Sequence, residues 1–265
     1  VPSCWFVAEV IEAHEAYRVG VTGLALLALM DAGHAYVDDT VEGRALRRGI
    51  AWLRSVQDQE GCLGSRQSGR YIYNHAYGAF ALIRAYALSG DEKVKTAAQE
   101  AIRFIELARN PYFAWRYGIK PGDNDTDVMG SIMLSVNDAY AMNREAREAE
   151  QDEPFTVDPG MQDGAKTWIY KITDFNTGRA GYLTRGTGPC RYEGMPDAYP
   201  RENSETCTAI SAWCRCRIGE DPDKNDQIRN GVELIAKLAP DPEPHRRAFD
   251  QWFWAWGARL GSELD

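Results

Sequence analysis

Four stretches of this sequence share one order of parts, and this repetition constrains the fold more strongly than any other feature. Each stretch starts with a residue that commonly caps a helix and continues as an apolar segment of helical length. The four caps are Thr22, Asn74, Thr126 and Ser204, at spacings of 52, 52 and 78 residues. Gly33, Gly90 and Gly219 follow the first, second and fourth segments, as glycine often does at helix C-termini. Because small and apolar residues surround most of each segment, we predict four inner helices that are packed on nearly all sides.

Between the inner helices lie segments of a second kind, each with a single apolar stripe and charged residues on the other faces. The stripes are Leu46, Ile50, Leu53 and Val56; Ala98, Ala101, Ile102 and Ile105; Trp168, Ile169 and Ile172; and Ile228, Val232, Ile235 and Leu238. A single stripe is typical of a helix that packs on one side and contacts water on the other. We therefore predict outer helices that alternate with the inner ones.

Two further segments extend the alternation to about ten helices. Residues 6–17 predict an outer helix near the start, and the aromatic segment 249–260 predicts a fifth inner helix. No segment has a convincing strand pattern, so the expected fold is all-α, with residues 1–265 in a single domain. Residues 145–160 and 184–203, which contain charged residues, proline and glycine, are predicted to be long surface loops.

The net charge and the cysteine pattern argue against several classes of function. A net charge of −9 repels phosphate backbones, so we expect no binding to nucleic acid. No run of about 20 apolar residues occurs, so no transmembrane helix is predicted. The six cysteines form no C-x-x-C pair, which argues against a zinc ribbon and favours buried or surface thiols. A soluble cytoplasmic protein and one exported after removal of an N-terminal segment both fit a chain that begins at Val1.

Five motifs occupy corresponding places in this alternation of helices. They are VGVTGLALLAL (19–29), QDQEGCLGS (57–65), YIYNHAYGAFAL (71–82), NPYFAWRYGIKPGDNDTDVMG (110–130) and SETCTAISAWCRCRIG (204–219). Together they resemble the prenyltransferase and squalene-cyclase repeat family, and most closely its uncharacterised bacterial members. The resemblance implies an α/α toroid, in which outer helices ring a barrel of inner helices and the N-terminal ends of the inner helices line a central cavity. The family ring has six helix pairs, so the roughly five pairs here predict an incomplete ring, or one completed by residues outside this chain.

Asp123, Asp125 and Asp127 stand just before the third inner helix and are the first candidate catalytic residues. A structural role explains them, because carboxylates at a helix N-terminus cap free N–H groups and interact favourably with the helix dipole. The family resemblance implies a second role, since squalene cyclases use a D-x-D-D-T motif to protonate an isoprenoid double bond. This sequence departs from that motif, because alignment on Asp125 and Thr126 puts Asn124 at the place of the proton-donating acid.

Two patterns bear on metal binding, and neither is complete. A calcium loop in the aspartate-rich stretch would need glycine and glutamate where Val128 and Leu134 stand. Protein prenyltransferases bind zinc through an acid-x-Cys pair at an inner-helix start and a later histidine. Glu205 and Cys207 resemble that pair, but the last inner helix contains no histidine. We predict no cofactor, with zinc at Glu205 and Cys207 as the alternative.

Glu205 and His75 complete the set of candidate catalytic residues. Glu205 stands at the start of the fourth inner helix, and His75 follows the predicted cap Asn74. A histidine at that place fits either a hydrogen-bonded structural residue or a general base beside Asp125 and Glu205. In the toroid that the resemblance implies, these residues lie near one mouth of the cavity.

Six aromatic residues on the inner helices are candidate ligand-binding residues. They are Tyr73, Tyr77, Trp213, Trp252, Trp254 and Trp256. Aromatic faces stabilise carbocations in cyclases, and aromatic side chains also fill helical cores. The sequence is consistent with both roles.

Three functions follow from these residues. The first is a toroid whose central cavity binds an apolar small molecule or a peptide segment without chemistry, because the standard catalytic motifs are absent. The second is an isoprenoid-processing enzyme, a terpenoid cyclase or prenyltransferase, that uses the acids at the cavity mouth. The third is a carbohydrate-active toroid with Asp125 and Glu205 as an acid–base pair. The sequence leaves open whether the chain is an enzyme.

Overall fold

The computed structural model of the chain describes residues 16–67, 69, 71–187, 204–238 and 250–264. Within those ranges the chain forms nine α-helices and no β-strand. The helices are α1 (Arg18–Asp31), α2 (Val41–Ser55), α3 (Tyr71–Ser89), α4 (Glu92–Ala108), α5 (Thr126–Glu148), α6 (Gly160–Ile172), α7 (Thr206–Arg217), α8 (Asp226–Ala236) and α9 (Gln251–Leu264). The all-α prediction is confirmed, while the outer helix predicted over residues 6–17 lies mostly outside the described residues. No helix in the described ranges is long and apolar enough to cross a lipid bilayer.

The helix ends agree with the sequence predictions at the C-termini and only in part at the N-termini. Gly33, Gly90 and Gly219 follow α1, α3 and α7 with φ angles of 86°, 63° and 91°. These left-handed conformations are unfavourable for residues with a Cβ, which explains the preference for glycine. The predicted cap at Thr22 is wrong, because α1 already begins at Arg18.

Asn74 is likewise not the cap of its own helix, since α3 begins at Tyr71. It caps the neighbouring helix instead. Its Oδ1 accepts a hydrogen bond from the Gly20 N–H at 3.0 Å, and its Nδ2 donates to the Ala16 carbonyl at 2.8 Å. An N–H group in the first turn of α1 therefore finds its acceptor on α3. A sequence pattern identifies only local caps, whereas this one depends on the contact between two helices.

Burial separates the two kinds of helix largely as predicted. Leu46, Ile50 and Leu53 of α2 are buried, and so is the whole predicted stripe of α4. The helices α3 and α7, predicted to be inner helices, bury residues on nearly every face. The apolar helix α1 differs, because Val21 and Leu24 remain exposed to 49% and 43%.

The chain divides into two compact units. Unit 1 comprises the described parts of Val1–Arg109, Trp115–Pro121 and Leu134–Met161, and unit 2 those of Asn110–Ala114, Gly122–Met133 and Gln162–Asp265. In unit 1, α1 packs against α2 and α3, and α3 packs against α4. In unit 2, α7 packs against α8 and α9. A single domain over residues 1–265 stays a prediction.

The segment predicted as a loop at 145–160 is shorter in the structure. Helix α5 continues to Glu148 and α6 begins at Gly160, so residues 149–159 connect them. Glutamate, alanine and arginine favour helix, and Arg144 lies 4.0 Å from Glu148 one turn later. Most of the second predicted loop, 184–203, lies outside the described residues.

A turn with a buried glycine follows the outer helix α2 in unit 1. Gln57 pairs with Leu63 in an isolated bridge, and the Asp58 Oδ1 accepts from the Cys62 N–H at 2.9 Å. Gly61 has a φ of 87°, and a Cβ on it would stand 2.1 Å from the carbonyl oxygen of Glu100 on α4. The turn therefore requires glycine both for its conformation and for its close approach to the next outer helix.

Unit 2 repeats this turn after the outer helix α6. Thr173 pairs with Ala180, and the Asp174 Oδ1 accepts from the Thr177 N–H at 3.0 Å. Gly178 has a φ of 73°, and a Cβ on it would stand 2.6 Å from the Gly231 nitrogen on α8. Two sequences with little identity thus build the same joint between an outer helix, the next inner helix and the next outer helix.

Candidate functional site

Asp125 caps α5 and anchors a neighbouring loop of unit 2. The side chain is fully buried, its Oδ1 accepts from the Val128 N–H at 2.7 Å, and its Oδ2 accepts from the Tyr182 hydroxyl at 3.3 Å. Beside it, the Thr126 hydroxyl donates to the Gly181 carbonyl at 2.6 Å. Both oxygens of the most buried candidate acid are therefore engaged in holding the start of α5 against the loop that follows α6.

The other two aspartates of the acidic stretch lie in different surroundings. Asp127 is buried, and its Oδ1 accepts from the Trp252 indole N–H at 2.6 Å, which ties the first turn of α5 to α9. Asp123 is exposed, and its backbone carbonyl accepts from the Asn110 amide at 2.6 Å. The three acids therefore differ in surroundings, because Asp125 caps α5, Asp127 accepts from an indole and Asp123 is exposed.

Glu205 is buried at the start of α7 with both oxygens occupied. Its Oε1 contacts the Arg179 guanidinium at 2.7 Å and 2.6 Å through Nε and Nη2, and its Oε2 accepts from the Thr208 hydroxyl at 2.6 Å. Thr208 in turn accepts from the Ala180 N–H at 3.2 Å. The ion pair therefore joins α7 to the turn after α6.

Asp250 is a further buried acid at the start of α9, and it is absent from the candidates that the sequence patterns indicate. Its Oδ2 accepts from the Ser204 hydroxyl at 2.6 Å, and its Oδ1 accepts from the Phe253 N–H at 2.9 Å, so it caps α9. Ser204, predicted as the cap of the fourth inner helix, bonds Asp250 instead, and the cap position of α7 is Glu205 without a side-chain capping bond. The position of Asp250 directly before an apolar helix is the signal that could have identified it.

In unit 2, four buried carboxylates thus stand at the starts of three helices. These are Asp125, Asp127, Glu205 and Asp250. The positive end of each helix dipole favours a carboxylate there. Among the described residues, no three or more His, Cys, Asp or Glu side chains are grouped so that they could hold a metal ion. Each of the four carboxylates accepts a hydrogen bond at a helix start, either as a cap or as a link to a neighbouring element.

His75 lies in unit 1, where it cross-links three elements. Its Nδ1 accepts from the Leu63 N–H and its Nε2 donates to the Ala101 carbonyl, both at 3.1 Å, a pattern that puts the proton on Nε2. The ring is fully buried and contacts the Phe104 ring edge-on at 4.7 Å. Burial lowers the pKa of His75 to about 4. A neutral imidazole with both nitrogens bonded to backbone favours the structural alternative over the general base.

The described cysteines show no sign of a reactive thiol. Cys62 and Cys214 are buried, and neither forms a disulfide. Burial raises the pKa of Cys62 to about 12 and raises that of Cys214 further, so both stay protonated at neutral pH. Cys207, which the sequence pattern indicates as an alternative zinc ligand, is buried in α7.

Of the six candidate aromatics, Tyr77, Trp213 and Trp256 are buried, and the other three are half-buried. Tyr77 is buried in unit 1, and Tyr73 contacts the Tyr117 ring at 6.1 Å. In unit 2, Trp256 contacts Trp213 at 5.4 Å and Trp252 at 6.1 Å, all with edge-to-face geometry. This cluster joins α7 to α9 and leaves Trp254 on another face of α9.

Trp254 lines an apolar cavity of about 550 Å³ in unit 2. The cavity lies between α8 and α9, and its walls are Ile235, Ala236, Leu238, Phe253, Trp254, Gly257 and Ala258. None of these side chains carries a charge. A volume of this size is in the range of small-molecule sites.

Sequence reasoning predicted that Ile235 and Leu238 pack like the rest of their stripe. In the structure only Ile228 of that stripe is fully buried, and the later residues are half-buried beside the cavity. The sequence contains one signal that could have indicated the cavity. The apolar stripe of α8 faces α9, where Gly257 and Ala258 are too small to fill the space between the helices. Which helix lies opposite is decided only by the tertiary fold.

Compared with known proteins, the chain matches no family model, no curated protein and no solved structure. The resemblance of its motifs to the prenyltransferase and squalene-cyclase family therefore stays a prediction.

Proposed function

We propose that this chain is a binding protein of the α/α-toroid type, similar to prenyltransferases and squalene cyclases, that holds an apolar small molecule without reacting with it. The alternation of inner and outer helices and the turn repeated at Gly61 and Gly178 support a toroid of helix pairs. The binding site of the proposal is the apolar cavity between α8 and α9.

The observation that carries the proposal is the contrast between this cavity and the buried acids. The cavity offers apolar walls to a ligand, and each Å² of apolar surface that a ligand buries there contributes about 25 cal/mol. The acids at the helix starts are engaged in caps, an indole bond and an ion pair. A site whose described lining residues are all uncharged, and which binds by apolar contact, favours retention of a ligand over acid–base chemistry.

An isoprenoid-processing enzyme is the second candidate, because a prenyl chain would also fit an apolar cavity. It requires Asp125, Asp127 or Glu205 to act on the substrate. The engagement of both Asp125 oxygens with Val128 and Tyr182 weighs against that role. A carbohydrate-active site finds less support, since the described residues that line the cavity are apolar apart from the indole N–H of Trp254.

The proposal is tested with the fluorescent apolar probe N-phenyl-1-naphthylamine and with farnesol. The key variant is Gly257→Leu, which places a branched side chain in the cavity. Gly261→Leu is the matched control, since it lies one turn later on α9, is equally half-buried, and does not line the cavity. A Cβ added at either glycine would meet no atom within 4 Å, so both variants are expected to fold.

We expect wild type and Gly261→Leu to bind the probe and to melt at a higher temperature with farnesol. Gly257→Leu should weaken probe binding at least about tenfold, roughly 1.4 kcal/mol. Equal binding by both variants, or no binding by wild type, would overturn the proposal. Turnover of farnesyl diphosphate that Asp125→Asn abolishes would instead favour the enzyme.

A further inference from the structure

A row of alternating cations and aromatic rings lies on the surface of unit 2, around the end of α6. The Lys171 ammonium is 5.0 Å from the centre of the Phe113 ring, and the Arg185 guanidinium is 5.3 Å from the centre of the Phe175 ring. The two pairs are linked, because the Arg185 Nε donates to the Lys171 carbonyl at 3.1 Å. We call Phe113, Tyr170, Lys171, Phe175 and Arg185 the cation–aromatic patch.

Two rings of this patch, those of Tyr170 and Phe175, are exposed although they contact each other, and Phe113 is half-buried. Tyr170 and Phe175 are exposed to 38% and 44%, and their ring centres are 6.3 Å apart. A single exposed aromatic residue is ordinary on a protein surface. Adjacent exposed rings are not, since aromatic residues concentrate where proteins bind partners.

The two cations of the patch have no carboxylate partner among the described residues. Other basic residues of unit 2 do, namely Arg179, Arg215, Lys224 and Arg229. Arg185 does act on Asp174, but the pKa of that carboxyl is lowered mainly by the Thr177 and Asn176 N–H groups of its own turn, and Arg185 contributes less than they do. On a chain with a net charge of −9, these unpaired cations form a local site for negative charge.

Two residues beneath the patch, Arg215 and Glu220, fix the position of the Tyr170 ring. The buried Arg215 lies 4.5 Å from the centre of the Tyr170 ring, and the Tyr170 hydroxyl donates to Glu220 at 3.2 Å. Arg215 itself is fixed by Glu220 at 2.8 Å. A surface that is already ordered loses little conformational entropy when a partner binds, which favours recognition.

We propose that the cation–aromatic patch docks an acidic peptide segment of a partner protein, one that also carries apolar side chains. Carboxylates of the segment pair with Lys171 and Arg185, and its apolar side chains contact Tyr170 and Phe175. The same cations rest on the faces of Phe113 and Phe175, so these faces are not open to stacked bases. Two cations on a strongly acidic chain also suit a short acidic segment better than a nucleic-acid backbone.

This proposal is independent of the apolar cavity, since the two sites share no residue. The probe is a fluorescein-labelled peptide of alternating glutamate and leucine, with a lysine–leucine peptide of equal length as the charge control. Binding is measured by fluorescence anisotropy at low salt, where exposed charges are least screened. The variants are Lys171→Glu, Arg185→Glu and Phe175→Ser, with Lys171→Gln as a milder change if a reversal prevents folding.

Lys237→Glu is the matched control, because Lys237 is also exposed, lies in unit 2, and has no ion pair among the described residues. We expect wild type to bind the glutamate–leucine peptide. Each charge reversal in the patch should weaken binding at least about tenfold, and Lys237→Glu should change it less than about twofold. All of the variants should still bind N-phenyl-1-naphthylamine, which separates this proposal from the cavity.

Several results would overturn the proposal. They are equal binding of the lysine–leucine peptide, unchanged binding by the patch variants, and absence of peptide binding by wild type. Preferential binding of single-stranded DNA or of phosphatidylserine vesicles to the patch would also contradict it, because either would assign the surface to a different class of partner.

Discussion

The buried imidazole of His75 forms hydrogen bonds with two backbone groups of unit 1. It supplies an acceptor to Leu63 of the turn and a donor to Ala101 of α4, and burial keeps it neutral, with a pKa of about 4. In the unfolded chain its pKa is the ordinary value of about 6.5. The unfolded state therefore binds a proton between these values that the folded state does not.

This residue makes unfolding depend on pH in a defined window. The contribution of His75 to the free energy of unfolding is fully present above pH 6.5 and is lost as the pH falls toward 4. The loss is up to about 1.4 kcal/mol for each pH unit and about 3 kcal/mol over the whole range. Urea unfolding at pH 7, 6 and 5 measures it. His75→Gln should be less stable at pH 7 but flatter across the window, whereas the control His34→Gln should keep the wild-type slope. Parallel profiles for wild type and His75→Gln would contradict this assignment.

Asp125 and Asp123 test the structural role of the acidic stretch. Asp125→Ala leaves the Val128 N–H and the Tyr182 hydroxyl without this acceptor, so we expect a loss of about 2 kcal/mol in the free energy of unfolding. Asp123→Ala removes an exposed side chain and should leave that free energy nearly unchanged. Chemical denaturation of both variants is the measurement, and equal losses would argue against the capping role.

At the scale of elements, glycine decides how closely helices approach. Gly20 and Gly23 lie three residues apart on α1, and both are buried. In unit 1, a Cβ on Gly23 would stand 2.6 Å from the Tyr77 carbonyl oxygen on α3. Backbone atoms cannot rotate away as a side chain does, so α1 and α3 would have to move apart.

Two substitutions of the same kind should therefore have opposite effects. Gly23→Ala should destabilise unit 1 by about 1–3 kcal/mol through overpacking. Gly257→Ala, also in a helix but with no atom within 4 Å of the added Cβ, should stabilise unit 2 by up to about 1 kcal/mol. Thermal melts of the two variants against wild type give the comparison. Stabilisation by Gly23→Ala would show that α1 and α3 are not in tight contact.

On the scale of the whole molecule, the chain repeats one joint with different residues. The turn at Gly61 is anchored to its inner helix by His75, and the turn at Gly178 is anchored by Thr208. The His75 imidazole accepts from the Leu63 N–H, and the Thr208 hydroxyl accepts from the Ala180 N–H at the equivalent position of the second turn. This equivalence explains why the repeat is visible as an alternation of apolar and striped helices while residue identity is low.

The sequence by itself determined the all-α class, the order of the helices and most of their buried stripes. These follow from periodicity, glycine at helix ends and proline or glycine between elements, all of which act over a few residues. It also identified Asp125 and Glu205 as the acids at helix starts. It did not identify the partners of those acids, since Tyr182 and Arg179 lie 57 and 26 residues away.

Only the tertiary structure decided which partners the buried polar side chains have. Asn74 caps another helix, Asp127 bonds an indole on α9, and the half-buried stripe of α8 borders a cavity. Each of these facts depends on a contact between elements that are remote in sequence, and a local pattern contains no information on such contacts. Burial and partner choice are properties of packing, so only the tertiary structure shows which elements the candidate acids hold together and that an apolar cavity lies between α8 and α9.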